Sequence, residues 1–365
     1  MPGVYLSYPF CAQKCTYCNF ASGVSPALER EYVDALVAEI ETHPWEWRPE
    51  TVYLGGGTPS RLECEALNRI LRAVPGTPWR EATMEAAPGG ITAETAAMWR
   101  ESGITRVSLG VQSFVERELR QTGRRHTADV VTREVELLRA EGLGEVNIDL
   151  IAGLPHQTKA SWRESLGWIE RLAPPHVSVY LLEVDEDSRL GLEIIGQGGR
   201  LGAREVPSDE LMAEMYEEAV ATLAGMGIER YEISNFARPG HESRHNLKYW
   251  RLEPYAGFGS DAHGFDGRAR TQNVELPAEY VARWHARKSP LAERSEARDD
   301  ERFFVGLRLD AGIALTAGDW QRYAAPIRRF VDAGVLERSG DILRLTPRGV
   351  LVSNEVLQEF VSTSC

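Results

Sequence analysis

Three cysteines lie close together near the start of the chain, at Cys11, Cys15 and Cys18. Three thiolates on one loop can hold three irons of a cubane iron–sulfur cluster and leave the fourth iron open to a ligand that is not protein. A structural zinc site would need a fourth ligand, and the nearest histidine, His43, lies beyond a predicted helix. A redox dithiol of Cys15 and Cys18 would leave Cys11 unexplained. The spacing therefore favours a cluster, with zinc and a dithiol as the alternatives.

The elements that must position this loop alternate between β-branched segments and amphipathic helices. Six segments are predicted strands: Val4–Tyr8, Thr51–Leu54, Thr83–Ala87, Arg106–Val111, Val146–Ile151 and Val177–Leu182. Five segments between them are predicted helices: Leu28–Ile40, Cys64–Ala73, Thr92–Glu101, Ala128–Ala140 and Ala160–Leu172. Strands joined by helical crossovers pair in parallel. The pattern predicts an α/β fold, a partial (β/α)6 barrel, with the cysteine loop at the strand ends where barrels carry their chemistry.

The second half of the chain has a different pattern. Residues Asp185–Pro207 are rich in glycine and charge and are predicted to form a long loop. A helix is predicted over Ser208–Met226, with Ser208 as its N-cap. Helices near Asp299–Leu307 and Trp320–Ala333 and a hairpin over Val335–Leu345 predict a winged-helix-like domain. We expect three parts, a barrel core, a barrel extension and a C-terminal domain, over residues 1–205, 206–291 and 292–365.

Composition restricts the class of protein further. The 365 residues carry a net charge of −13, which disfavours binding to nucleic acid or to an anionic membrane. No apolar run approaches the roughly 18 to 20 residues that span a bilayer, and no signal-peptide pattern opens the chain. We expect a soluble, cytoplasmic protein without a nucleic-acid partner. Cys64 is predicted to be a buried helix residue and Cys365 a mobile terminal thiol.

The Cys-x3-Cys-x2-Cys loop resembles that of the radical S-adenosylmethionine (SAM) superfamily, in which the amino and carboxylate groups of SAM chelate the open iron. The resemblance implies a [4Fe-4S] cluster on the three cysteines, bound SAM and a radical-SAM barrel. The run Gly55–Pro59 after the second predicted strand is similar to the motif that contacts the methionine end of SAM. The full set of implied SAM contacts is Tyr5, Tyr17, Gly56, Gly57, Thr58, Glu85, Gln112, Arg124 and Asp149.

Longer runs resemble the HemN/HemW group over nearly the whole chain. They include Pro9–Cys11, Gly110–Ser113, Ile148–Pro155, Arg238–Trp250 and Leu345–Gly349. In this group HemN enzymes oxidatively decarboxylate coproporphyrinogen III without oxygen, whereas HemW proteins are haem-binding chaperones. HemN has an N-terminal extension and a further cysteine two positions after the third cluster cysteine, where this chain has Phe20. The resemblance therefore implies the HemW type.

Residues 245–250 match the His-Asn-x-x-Tyr-Trp signature associated with haem in HemW proteins. The resemblance implies that His245, Tyr249 and Trp250 bind haem, and an imidazole with flanking aromatic rings suits haem iron. The alternative is that these residues anchor an interdomain segment. The group pattern is broken at Ser7, where a histidine is usual, and at His156, where a glycine is usual.

We therefore expect a haem chaperone that binds a [4Fe-4S] cluster and SAM, transfers haem to an acceptor protein and receives electrons from a reductant protein. One alternative is an oxygen-independent coproporphyrinogen III oxidase or another radical SAM enzyme that modifies tetrapyrroles. Another is a regulator whose winged domain binds DNA, which the acidic charge balance disfavours.

Overall fold

Parallel strands joined by helices build the first half of the chain in the computed structural model, which describes residues 2–19 and 21–361. These elements are β1 Gly3–Tyr8, α1 Pro26–Thr42, β2 Thr51–Gly56, α2 Cys64–Ala73, β3 Glu81–Ala86, α3 Ala93–Glu101, β4 Arg106–Gln112, α4 Glu116–Thr122, α5 Ala128–Ala140, β5 Glu145–Ala152, α6 Lys159–Leu172 and β6 His176–Leu181. Each of the six strands pairs in parallel with the next. The predicted parallel β/α units are confirmed.

The second half adds further strands to the same sheet and a separate C-terminal domain. Its elements are α7 Arg189–Ile195, α8 Asp209–Gly225, β7 Glu229–Arg230, β8 Asn235–Ala237, α9 Arg244–Trp250, β9 Tyr255–Phe258, β10 His263–Phe265, β11 Ala269–Asn273, α10 Pro277–His285, β12 Leu291–Glu296, α11 Glu301–Gly306, β13 Ile313–Ala314, α12 Ala317–Asp332, β14 Leu336–Ser339, β15 Ile342–Leu345, α13 Pro347–Leu351 and α14 Ser353–Gln358. Over residues 2–19 and 21–361, no helix is long and apolar enough to cross a membrane.

The sheet is open, and its strand order is β12-β11-β10-β9-β1-β2-β3-β4-β5-β6-β8-β7. Strand β9 pairs in parallel with β1 on the side where β6 would lie in a closed barrel. Strand β8 pairs in antiparallel fashion with β6 at the other side. The six central strands thus form the predicted partial (β/α)6 barrel. The C-terminal helices accompany a separate three-stranded sheet in the order β13-β15-β14.

The two faces of the parallel strands have opposite chemistry, because successive side chains of a strand point to opposite sides. On the face covered by helices lie fully buried apolar residues such as Leu6, Leu54 and Ile148. The other face, which we call the lumen face, is polar and carries Tyr5, Tyr53, Glu85, Ser108, Gln112, Asn147, Asp149, Ser178 and Tyr180. The hydrophobic core therefore lies between sheet and helices, and the barrel interior is left for polar groups.

Two sequence predictions are wrong. Residues Asp185–Pro207 are not a simple loop, because they contain α7 and a 3-10 turn over Arg200–Glu205. Leu190 of α7 is buried with Leu154 and other apolar residues in a small cluster apart from the main core, which explains why this segment is ordered. Cys64 is exposed rather than buried. Cys365 lies outside the described residues.

The predicted N-cap of the long helix in the second half is confirmed. The Oγ of Ser208 accepts a hydrogen bond from the backbone N–H of Leu211 at 3.4 Å, in the first turn of α8.

Candidate functional site

The cysteine loop follows β1 at the carboxyl ends of the parallel strands. Its two ends are held together, because Cys11 N–H donates to the Gly23 carbonyl at 3.0 Å and Gly23 N–H donates to the Pro9 carbonyl at 2.9 Å. Cys11, Cys15 and Cys18 are partly buried and none of them is in a disulfide. Over residues 2–19 and 21–361, no group of three or more His, Cys, Asp or Glu side chains surrounds a single metal position.

Distant segments hold the middle of this loop. The backbone N–H of Thr16 donates to Thr122 at the end of α4, at 3.3 Å, and its carbonyl accepts from Leu190 N–H of α7 at 2.8 Å. The side-chain amide of Asn19 donates to Asp185 at 2.8 Å. The α7 segment that was predicted to be a loop therefore supports the cysteines.

The glycine-rich run lies against the backbone that leads into the cysteine loop. Gly57 N–H donates to the Tyr8 carbonyl at 2.7 Å, and Thr58 N–H donates to the Phe10 carbonyl at 2.9 Å. A Cβ on Gly57 would lie 2.6 Å from the Phe10 carbonyl oxygen, and Gly56 has a φ of 116°. Glycine is thus required at both positions, because a side chain would clash or strain the turn.

Glu85 connects this run to the lumen face. Its carboxylate accepts a hydrogen bond from Tyr53 Oη at 2.9 Å and another from Gly56 N–H at 3.1 Å. The ring of Tyr5 stacks beside that of Tyr53, with centroids 6.1 Å apart. Removal from bulk water raises the pKa of Glu85 to about 7, with Asp149 adding to the increase, although the two hydrogen bonds lower it.

Asp149 supplies a second carboxylate on the lumen face. It accepts hydrogen bonds from Asn147 Nδ2 at 2.7 Å and from Ser108 Oγ at 3.2 Å. Burial raises the pKa of Asp149 to about 6, while hydrogen bonds from Ser178, Asn147 and Ser108 lower it. The pKa values of these two carboxyl groups lie close to neutral pH. A cation bound beside them would therefore favour their ionised forms.

Arg124 and Gln112 bring unused hydrogen-bonding capacity to the same region. Nη1 of Arg124 donates to the Gly110 carbonyl at 2.6 Å, and its guanidinium lies within hydrogen-bonding reach of Cys15 and Tyr17. The buried Nε of Arg124 and Oε1 of Gln112 have no hydrogen-bond partner in the described part of the chain. Buried polar atoms without a partner are costly in a folded protein, so these two atoms fit the contact surface of a polar ligand.

Two protein-family models match parts of this chain, and several known proteins match nearly all of it. A model of the radical SAM superfamily matches residues 5–169, and a model of the HemN C-terminal domain matches residues 296–352. The heme chaperone HemW of Bacillus subtilis is 33% identical, with 99% of each chain covered. That of Mycobacterium tuberculosis strain H37Rv is 35% identical over 98% of this chain and 94% of the relative, and that of Escherichia coli is 31% identical over 98% of each.

This chain belongs to the HemW family. The solved structure of coproporphyrinogen III oxidase (HemN) from Escherichia coli has a TM-score of 0.83 at 20% identity and covers 98% of this chain and 90% of that chain. At that identity, the likeness shows that the HemW family chain shares the radical SAM fold of the oxidase.

The His-Asn-x-x-Tyr-Trp segment of this HemW family member, residues 245–250, lies at the opposite end of the strands from the cysteines. His245 is fully buried, and its Nδ1 lies 2.8 Å from Oγ1 of Thr51, the first residue of β2. Its Nε2 lies 2.7 Å from the hydroxyl of Tyr249. Glu81, the first residue of β3, accepts a hydrogen bond from His245 N–H at 2.9 Å. Burial lowers the pKa of His245 to about 3.

The other two signature residues pack against neighbouring elements. The ring of Tyr249 meets that of Tyr255 edge-on, with centroids 4.7 Å apart. The guanidinium of Arg308, from the C-terminal domain, lies 4.7 Å from the centre of the Trp250 ring. Because both ring nitrogens of His245 are hydrogen-bonded, haem does not fit at this histidine in the present conformation. The haem role of these three residues stays a prediction, and their contacts favour the anchoring alternative.

Sequence reasoning missed Tyr53, Tyr180 and the polar residues beside Asp149. Tyr53 holds Glu85, and Tyr180 is 41% exposed on the lumen face. A signal for both was present, since each is a polar side chain at an alternate position of a strand whose other positions are apolar. The contact of Arg124 with Cys15 had no such signal, because the two residues are 109 positions apart in the sequence.

Proposed function

We propose that this protein is a haem chaperone of the HemW type, which carries a [4Fe-4S] cluster with SAM and passes haem to an acceptor protein. The observation that carries the proposal is 31–35% identity to proteins named heme chaperone HemW over almost the whole chain. The site supports it, because the cysteine loop, the glycine-rich run and the two lumen carboxylates meet at one end of the strands.

The residues present fit the cluster and SAM. Cys11, Cys15 and Cys18 provide three thiols on a closed loop, and the guanidinium of Arg124 can offset the charge of the Cys15 thiolate. When bound, the cluster supplies an open iron for the amino and carboxylate groups of SAM and an electron for its sulfonium.

The remaining implied contacts complete this part of the proposal. Gly56 and Gly57 allow the backbone to approach the ligand, and Tyr5, Tyr17 and Thr58 border the same loops. Glu85 and Asp149 provide acceptors for cationic or hydroxyl groups, and Gln112 Oε1 provides another acceptor. The set therefore suits a cationic, hydroxyl-bearing nucleoside such as SAM.

The proposal is tested with protein reconstituted anaerobically with iron and sulfide. We expect the cluster chromophore in the wild type, its loss in Cys15→Ala and its retention in Cys64→Ala, an exposed cysteine outside the loop. Haem uptake and its transfer to an apo-acceptor, followed by absorption spectra, test the chaperone role. Conversion of coproporphyrinogen III to a vinyl product with SAM and reductant would overturn it in favour of the oxidase.

A further inference from the structure

Three rings form a continuous series on the lumen side of the sheet, and we call Tyr53, His245 and Tyr249 the ring column. The ring of Tyr53 lies 5.3 Å from that of His245, centre to centre, with an angle of 33° between the planes. The ring of His245 meets that of Tyr249 edge-on at 5.1 Å. The column begins beside Glu85, which Tyr53 contacts, and ends in α9. It therefore connects the carboxylate near the carboxyl ends of the strands with the helix at their amino ends.

Tyr53 is the member of the column that acts on Glu85 directly. Its hydroxyl donates to Oε1 of Glu85 at 2.9 Å, and no other side chain in the described part of the chain donates a hydrogen bond to this carboxyl. A hydrogen bond to a carboxylate favours the ionised form. The other ionisable groups that face Glu85 act through charge alone, and they are Tyr5, Asp149, Tyr180 and Tyr249.

The side chains around Glu85 are packed closely where β2 carries a glycine. A Cβ on Gly55 would lie 3.0 Å from Cε1 of Tyr53, 3.1 Å from Cε2 of Tyr5 and 3.2 Å from Oε1 of Glu85. These three side chains thus meet over Gly55. Because the hydroxyl is fixed to its ring, a displacement of the Tyr53 ring would move the hydrogen-bond donor away from Glu85.

His245 is docked onto the same two strands that carry Tyr53 and Glu85. Its Nδ1 lies 2.8 Å from Oγ1 of Thr51, and its backbone N–H donates to Glu81 at 2.9 Å. Thr51 precedes Tyr53 by two positions on β2, and Glu81 precedes Glu85 by four positions on β3. Since side chains two or four positions apart share a face of a strand, His245 lies directly behind Tyr53 on the lumen side.

The orientation of the His245 ring is fixed as well. Its Nε2 lies 2.7 Å from the hydroxyl of Tyr249, so both ring nitrogens have partners. Burial lowers the pKa of His245 to about 3, and the imidazole is therefore neutral at ordinary pH. What His245 offers to Tyr53 is a rigid ring face rather than a charge.

We propose that Tyr53 is a positioning residue for Glu85, which holds the carboxylate in place and supports its ionised form, and that His245 acts on this site through Tyr53. The inference rests on the proposed function, because that function uses Glu85 as an acceptor for SAM. It gives the segment at the amino ends of the strands an influence on the ligand bound at their carboxyl ends.

The first measurement follows the Glu85 carboxyl in the full-length protein without SAM. Infrared difference spectra recorded over a pH titration report its ionisation, and Glu85→Gln identifies the band. Tyr53→Phe should raise the pKa of Glu85 above its value of about 7, because the hydrogen bond is lost while the ring is kept. The matched control is Tyr180→Phe, which removes a hydroxyl from the same face and should leave the titration unchanged, since within the described residues Tyr180 does not hydrogen-bond to Glu85.

The second measurement tests whether His245 acts through Tyr53. In His245→Gln the Tyr53 ring loses the surface behind it, so the pKa of Glu85 should rise in the same direction as in Tyr53→Phe. The double variant should titrate like Tyr53→Phe alone, because the effect of the histidine passes through the Tyr53 hydroxyl. His241→Gln is the control, since His241 precedes the same helix and lies 2.8 Å from Glu145, outside the ring column.

A milder variant covers the case in which His245→Gln does not fold. Tyr249→Phe keeps every ring of the column and removes only the hydroxyl beside Nε2 of His245. It should raise the pKa of Glu85 by less than Tyr53→Phe does. Thermal unfolding of all variants identifies those that are folded.

SAM binding measures the consequence for the site. At pH 7, calorimetry should show roughly five- to tenfold weaker binding in Tyr53→Phe than in the wild type, because a smaller fraction of Glu85 is ionised. At pH 8.5 the difference should become small, since Glu85 is then largely ionised in both proteins. A general structural defect would instead weaken binding equally at both pH values.

The outcomes separate this inference from the proposed function. An unchanged Glu85 titration in Tyr53→Phe, or a loss of SAM affinity that does not depend on pH, would overturn the positioning role. Additive effects in the double variant would overturn the action of His245 through Tyr53. If the wild type binds no SAM, the SAM part of the proposed function fails, whereas the infrared titration, recorded without SAM, still decides whether Tyr53 and His245 control Glu85.

Discussion

Nη1 of Arg124 donates a hydrogen bond of 2.6 Å to the carbonyl of Gly110, and this bond holds the guanidinium against Cys15. Gly110 belongs to β4 and Cys15 to the loop after β1, so Arg124 connects the two. Its Nε is left without a partner in the described structure. Arg124 is therefore placed to offset the charge of the cysteine loop and to donate to a ligand.

Replacing Arg124 should weaken SAM binding more than cluster assembly. In Arg124→Met we expect near-normal iron content, because the three thiols remain, but roughly tenfold weaker SAM binding, because a charged hydrogen-bond donor is lost. The matched control is Arg125→Met, since Arg125 is adjacent in sequence and exposed. Calorimetric titration with SAM checks this, and equal affinities for the two variants would refute the role of Arg124.

A methyl group at Gly57 should displace the cysteine loop. In Gly57→Ala the new Cβ would lie 2.6 Å from the Phe10 carbonyl, so the backbone before Cys11 must shift. We expect a loss of about 1–3 kcal/mol in stability and a reduced iron content after reconstitution. Gly90→Ala is the control, because nothing lies within 4 Å of a Cβ at that position. Full iron content in Gly57→Ala would contradict the close packing.

SAM binding should depend on pH through Glu85. The pKa of Glu85 is raised to about 7, so the carboxyl group is largely protonated below that pH. A cationic ligand favours the ionised form, so binding below pH 7 must release a proton and affinity should rise from pH 5.5 to 7.5. Calorimetry in buffers of different ionisation enthalpy measures the protons released. Glu85→Gln should flatten the dependence, whereas Glu65→Gln, an exposed control, should retain it.

Buried His245 should make stability fall in acid. Its pKa is lowered to about 3 in the folded state, against an ordinary value of 6.5, so the unfolded chain binds the proton more readily. The stability that comes from keeping His245 neutral in the folded state is complete above pH 6.5. Below that pH the free energy of unfolding decreases, because the unfolded chain takes up the proton first. Between pH 6.5 and pH 5, the decrease in the free energy of unfolding should be smaller in His245→Gln than in the wild type by about 2 kcal/mol. Denaturant unfolding at both pH values measures the difference, and parallel curves would refute it.

The sequence predicted the strands well because their signal is local. Val4–Tyr8 and Arg106–Val111 alternate apolar residues with polar or small ones, and that period alone identifies a strand with one covered face. The α7 segment was missed because its helix depends on a small apolar cluster with Ile151 and Leu154, which are distant in sequence. The added strands β9–β12 were missed for a similar reason, since each is short and is recognised only by its pairing.

By itself, the sequence determined the chemistry that is encoded at short range: three thiols within eight residues, glycines that permit close backbone approach, and strands with one polar face. Only the tertiary structure decided which of these groups meet. It placed Arg124 against Cys15 and buried His245 between Thr51 and Tyr249. The physical reason is that spacing is a property of neighbouring residues, whereas burial and hydrogen-bond partners depend on segments that are brought together by packing.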